Sequence, residues 1–155
     1  TAEADAFVTD TGAEVRHGGA RAFYRPSEDF IQMPDKERFV GSETSTATEG
    51  YYGTLLHELV HWTGIERRCD RQFGKRFGDD AYAVEELVAE LGAAFLCADL
   101  GITPEPRPDH AAYIEHWVKV MKADNRAIFT AASKAAQATD FLAGLQQPEV
   151  TEAAA

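Results

Sequence analysis

Apolar residues change their spacing along the chain, and the change divides it into two stretches. From about residue 13 to 39 they come in short runs rich in Val, Phe, Tyr and Ile, cut by "HGG", "RPS" and "MPDK". Such runs predict short strands around Val15, over 22–24 and over 30–33. Beyond the polar stretch "GSETSTATEG" the spacing becomes helical. Thr46 or Thr48 is placed to cap a helix over about 49–63. Val84, Leu87, Val88, Leu91, Phe95 and Leu96 recur at helical intervals and predict a second helix over about 81–100, capped by Asp79 or Asp80. Gly101 and three prolines end it. A third long helix is expected from about 110 to 121, continuing or re-forming through 129–145. "AEADAFVT" at the start reads as a short helix or a leader, and the tail "QQPEVTEAAA" is expected to fray. No repeat and no second zone of composition occurs. The reading is one α+β domain over 1–155, a small N-terminal strand region followed by three main helices.

Composition narrows the class. The 155 residues are 45% hydrophobic and 26% charged, the balance of an ordinary globular protein with a real core. No apolar run has the length of a membrane span, and no basic or apolar signal segment opens the chain. Fifteen basic against 26 acidic residues leave a net charge of −11, which disfavours non-specific binding to nucleic acid. Cys69 and Cys97 have no CxxC spacing, which excludes a Cys-rich zinc ribbon or a disulfide scaffold and suits a reducing compartment. The first residue is not Met, so a processed chain or an excised domain is expected, with excision preferred.

The chemistry concentrates in "HELVH". Residues four apart share one face of a helix, so His57 and His61 can present two imidazoles to one ion, and zinc accepts such nitrogen ligands. Glu58, rotated by about 100°, stands beside the ion, where a general base for water is needed. The alternative is an amphipathic core helix with two satisfied histidines. Against it stand Leu55, Leu56, Leu59, Val60 and Trp62, since polar groups in so apolar a helix need partners.

A catalytic zinc commonly takes three protein ligands and leaves one position open. The longer HExxHxxGxxH pattern fails here: Gly64 is present, but Arg67 stands where the third histidine would be. The next helix offers Glu85, Glu86 and Glu90. Glu86 and Glu90 share a face amid apolar neighbours, whereas Glu85 is expected to turn away into solvent. Spacing does not choose between Glu86 and Glu90 as ligand; the other would support a ligand histidine through a hydrogen bond.

"AFYRPSEDFIQMP", "HELVHWTG", "RFGDDAYAVEELVAELGAAFLCADLGI" and "HAAYIEHWVKVMKADNRAIFTAASKAAQATDFL" together resemble the C-terminal metallopeptidase domain of ArdC-type antirestriction proteins and TraC-type plasmid conjugative primases. The likeness runs from about residue 6 to 145. It implies a zincin-like fold and one zinc ion per chain, held by His57, His61 and Glu86, with Glu90 as the supporting carboxylate. It also implies a polypeptide substrate and a preceding single-stranded-DNA-binding domain that this chain lacks. A cytoplasmic bacterial setting follows, with transfer to a recipient cell during conjugation.

Other residues are weighed beside these. His110 and Tyr113, three apart on one helix face, are candidates to stabilise an oxyanion, with His116 continuing the stripe and Tyr82 a further candidate. The competing roles are a helix start for His110 and core packing for Tyr113. His17 is read as a turn residue, and Trp62 and Trp117 as core aromatics. The segment carrying Arg67, Arg68, Arg71, Lys75 and Arg76 is read as a solvated loop. "RAFYRP" or "DFIQMP" would provide a strand edge for substrate. Two rival functions remain: an acidic module that mimics DNA and blocks a restriction enzyme, and an inactive domain stabilised by its metal. The DNA mimic predicts a dispensable Glu58. Zinc content cannot distinguish the inactive domain from an active one, but turnover can.

Overall fold

In the computed structural model, residues 1–71, 73, 80–103 and 110–148 are described, the side chains of 110–113 excepted. Helix α1 (Ala2–Thr11) precedes strands β1 (Glu14–His17), β2 (Phe23–Arg25) and β3 (Phe30–Met33). Then come α2 (Ala47–Trp62), α3 (Asp80–Leu100), α4 (His110–Ala123) and α5 (Ala127–Gly144). The α+β expectation holds, with a small three-stranded sheet ahead of the long helices.

The first eleven residues form a packed helix. Thr1 caps it, Ala4 and Val8 enter the core, and Gly12 ends it at φ 75°. The sheet order is β1-β3-β2, with β1 parallel and β2 antiparallel to β3. The central strand is therefore β3, with both its edges occupied. This corrects the expectation that "DFIQMP" could offer an edge; β2, from "RAFYRP", lies at the border of the sheet.

Helix α2 starts as its sequence dictates. The Thr46 hydroxyl accepts from Glu49 N, and the Glu49 carboxylate accepts from Thr46 N, a reciprocal capping box. Its Leu56, Leu59 and Val60 are fully buried, and α3 answers with Val88, Ala89, Leu96 and Cys97. Helix α3 packs between α2 and α5. Small residues on α5 (Ala131, Ala135, Ala138) line its buried face at helical spacing. Where α2 and α3 meet, a Cβ on Gly92 would fall 2.8 Å from Val60 Cγ2.

The third long helix re-forms instead of continuing. At "DNR" the Asp124 carboxylate accepts from Arg126 N, 2.9 Å, a local bond that competes with the helical ladder. Among the described residues no helix is long and apolar enough to cross a membrane. Asp79, the prolines at 104, 106 and 108, and the tail after residue 148 lie outside the described residues.

Candidate metal centre

His57 and His61 sit one turn apart on the buried face of α2, and α3 crosses in front of them. Their Nε2 atoms lie 3.2 Å from each other. The Glu86 carboxylate closes the triangle, with Oε2 3.2 Å from His57 Nε2 and Oε1 3.0 Å from His61 Nε2. Three donors on a tetrahedral ion with bonds near 2.0 Å stand about 3.3 Å apart, so this set has nearly the size a divalent ion requires. His57, His61 and Glu86 can hold a metal ion.

Each ring is approached at its far nitrogen by a second carboxylate. Glu90 Oε1 lies 2.6 Å from His57 Nδ1, although without the alignment of a hydrogen bond. Glu85 Oε1 lies 3.0 Å from His61 Nδ1. This corrects the expectation that Glu85 turns away into solvent. The residue is 3% exposed, with His61 and Arg71 bonded to its carboxylate, and consecutive residues 85 and 86 meet opposite sides of one imidazole.

Arg71 corrects the reading of its segment as a solvated loop. It is 8% exposed and grips Glu85 with two bonds, Nε to Oε2 at 2.9 Å and Nη2 to Oε1 at 3.0 Å. It also donates to Thr63 Oγ1 at 2.8 Å and Val60 O at 2.7 Å, and so satisfies the carbonyl end of α2. Gly64 makes room for it: a Cβ there would meet the Phe73 ring at 2.6 Å and Arg71 Nη2 at 2.9 Å. Arg68 is covered as well, stacked 3.6 Å over Trp62 and paired with Asp29. Arg67 reaches the same Asp29 from solvent. Lys75 and Arg76 lie outside the described residues.

The electrostatics follow the geometry. Burial alone would lower both histidine pKa values. Glu86 and Glu90 raise His57 despite it, and Glu85 and Glu86 push His61 up to about 10. Burial favours neutral carboxyls, but the two histidines hold Glu86 well below the usual carboxylate range, and His61 with Arg71 lowers Glu85. The centre is thus built for cationic charge, the condition a divalent ion meets. Glu58 is buried on α2, and its charge is among those raising both histidines.

The oxyanion candidates divide. The side chains of His110 and Tyr113 lie outside the described residues. His116 is 2.8 Å from Asp80 and ties α4 to the start of α3. Tyr82 is half-buried on the first turn of α3. His17 ends β1 instead of forming a turn, 2.6 Å from the Tyr51 hydroxyl. Trp62 is a core residue, whereas Trp117 is half-buried and donates to Ala83 O at 2.8 Å.

A zincin-type arrangement of this kind defines a class, and the chain belongs to the zincin-like metallopeptidase family, whose model matches residues 2–134. Among its relatives is the uncharacterized protein y4eC of Sinorhizobium fredii (strain NBRC 101917 / NGR234). The two are 48% identical over 139 residues, 90% of this chain and 43% of that protein. A DNA primase TraC of Escherichia coli is 42% identical over 150 residues, 96% of this chain and 14% of the primase. Among solved structures, the Mn(II)-bound antirestriction ArdC protein from plasmid R388 is similar with TM-score 0.80 and 40% identity, over 96% of this chain and 54% of that one. Its metal-free form gives 0.77 and 43%, over 94% and 51%. The chain spans about half, or less, of the length of these relatives.

Proposed function

We propose that this chain is a metal-dependent peptidase domain serving plasmid antirestriction or conjugation. The observation that carries the reading is the convergence of His57 Nε2, His61 Nε2 and the Glu86 carboxylate on one point, with the buried Glu58 beside them. His57, His61 and Glu86 are the ligands, and zinc is the expected ion. Manganese is the alternative ion, because a relative's structure has Mn(II) bound. A divalent ion held there supplies Lewis acidity, polarising a peptide carbonyl and making water acidic near neutral pH.

Glu58 is the general base. It accepts the proton of the attacking water as oxygen adds to the carbonyl carbon, and returns it to the amine as the C–N bond breaks. Glu90 supports His57. The substrate is a polypeptide laid along the β2 border, at Phe23–Arg25. His110 and Tyr113 are retained as candidate oxyanion donors. The names of the ArdC and TraC relatives support the plasmid setting. A single-stranded-DNA-binding domain would deliver the domain in a bacterial cytoplasm or, after conjugation, in a recipient cell.

The test is proteolysis of a diverse peptide mixture, read by mass spectrometry, with metal-loaded protein beside its Glu58→Gln variant. Cleavage by the parent that vanishes in the variant is the expected result. Equal silence from both, in protein shown to hold metal, overturns the peptidase reading and leaves an acidic binding module or a metal-stabilised structural domain.

A further inference from the structure

We propose that Arg71 and Glu85 are positioning residues that fix His61 as a metal ligand before any ion arrives. The inference rests on the metal reading above. Its basis is a continuous buried chain of contacts, Arg71 to Glu85 to His61 Nδ1, aimed at the side of the imidazole away from Glu86.

A neutral imidazole carries its proton on one nitrogen, and only the other can bind a metal. Glu85 is an acceptor, so it keeps a proton of His61 on Nδ1 and turns Nε2 towards His57 Nε2 and Glu86, leaving Nε2 as the nitrogen that gives up its proton to an ion. Glu85 is itself held at both oxygens by Arg71. The guanidinium in turn is fastened to Val60 O and Thr63 Oγ1. Those last contacts belong to the end of α2, the helix that carries His61. The carboxylate comes from α3, yet its position is set against α2. Glu90 differs in exposure: its side chain is 21% exposed against 3% for Glu85, and it lies 2.6 Å from His57 Nδ1.

Replacement of Glu85 by Gln sharpens the point. One Glu85 oxygen serves both His61 Nδ1 and Arg71 Nη2, and the other takes Arg71 Nε. An amide must then either point its NH2 at Arg71 or turn it to His61, and each choice sets donor against donor. Lys at position 71 keeps the charge but cannot form the two-pronged grip.

The experiment compares Glu85→Gln, Arg71→Lys and Glu90→Gln with the parent by chelator competition for Zn2+. Visible absorption of the Co2+-loaded proteins and imidazole 15N shifts of the Zn2+-loaded proteins follow. We expect Glu85→Gln to weaken Zn2+ binding by about 10–100-fold and Arg71→Lys by roughly tenfold, both with altered Co2+ bands and a shifted His61 Nδ1 resonance that reports the changed hydrogen bond. The double variant Arg71→Met/Glu85→Leu removes both buried charges together, which restores folding while leaving His61 without its acceptor. It is expected to bind as weakly as Glu85→Gln. Variants that lose thermal stability but bind Zn2+ with parental affinity and parental spectra overturn the inference alone. A parent that binds no metal overturns both it and the metal reading.

Discussion

Two polar networks in this molecule use the same chemistry with opposite exposure. At the centre, Arg71, Glu85 and His61 form a dry chain between α2 and α3. At the sheet, Asp29 takes bonds from Arg67, Arg68 and the Tyr24 hydroxyl, tying the β2–β3 turn to the segment after α2. There Asp29 is 25% exposed and Arg67 66% exposed at their side chains, and water reaches the carboxylate and competes for the Arg67 bond. The wet network fastens two elements together. The dry one also holds His61 with Nε2 turned towards His57 and Glu86. Burial, more than the identity of the charged pair, separates a fastener from a device that orients chemistry.

The comparison breaks most visibly at the ligands. His61→Ala or Glu86→Ala should reduce bound metal from one equivalent to none under chelator competition, as elemental analysis will show. In the parent, free metal at a hundredfold excess over Kd adds about 2.7 kcal/mol. That is a rise of roughly 5–10 °C in Tm for a domain of this size, and neither variant should display it. Next comes Glu85→Ala, which strands a buried guanidinium and should cost about 3–5 kcal/mol in urea unfolding. Asp29→Ala strikes the wet network. Arg68 keeps its stacking on Trp62, so the expected loss is about 1–2 kcal/mol, with metal affinity unchanged. Thr46→Ala, at the far end of α2, should cost about 1 kcal/mol by the same unfolding assay and leave the centre untouched. A wet-network variant that lowers metal affinity as much as Glu85→Gln would abolish the distinction.

Much of this was legible in the residues. The helical spacing of "HELVH", the cap at Thr46 and the apolar stripe from Val84 to Leu96 each record a local rule, and local rules leave marks in sequence. Helical geometry also placed Glu86 and Glu90 on one face, and both meet the histidines. Glu85 is misjudged because rotation about α3 does not show what comes to cover a residue from elsewhere in the chain. The convergence of His61 and Arg71 on its carboxylate is a tertiary fact. Arg71 was missed for a related reason: it sits in a charged stretch with few apolar residues, and nothing local announces that the chain folds back. Gly64, followed seven residues later by a cation able to reach the end of α2, was the available hint.

Gly92 carries a consequence beyond packing. Its missing methyl group lets Val60 approach, and the contact therefore acts as a gauge for the distance between two helices that each contribute to the ion site. Alanine there would act as a shim, moving Glu86 outward relative to His57 and His61 while every ligand kept its identity. A wider site suits an ion with longer bonds and looser geometry. Preference among metals would then be inherited through a residue that touches none of them, and Gly92→Ala should shift the ratio of Zn2+ to Mn2+ affinity towards Mn2+ in competition titrations.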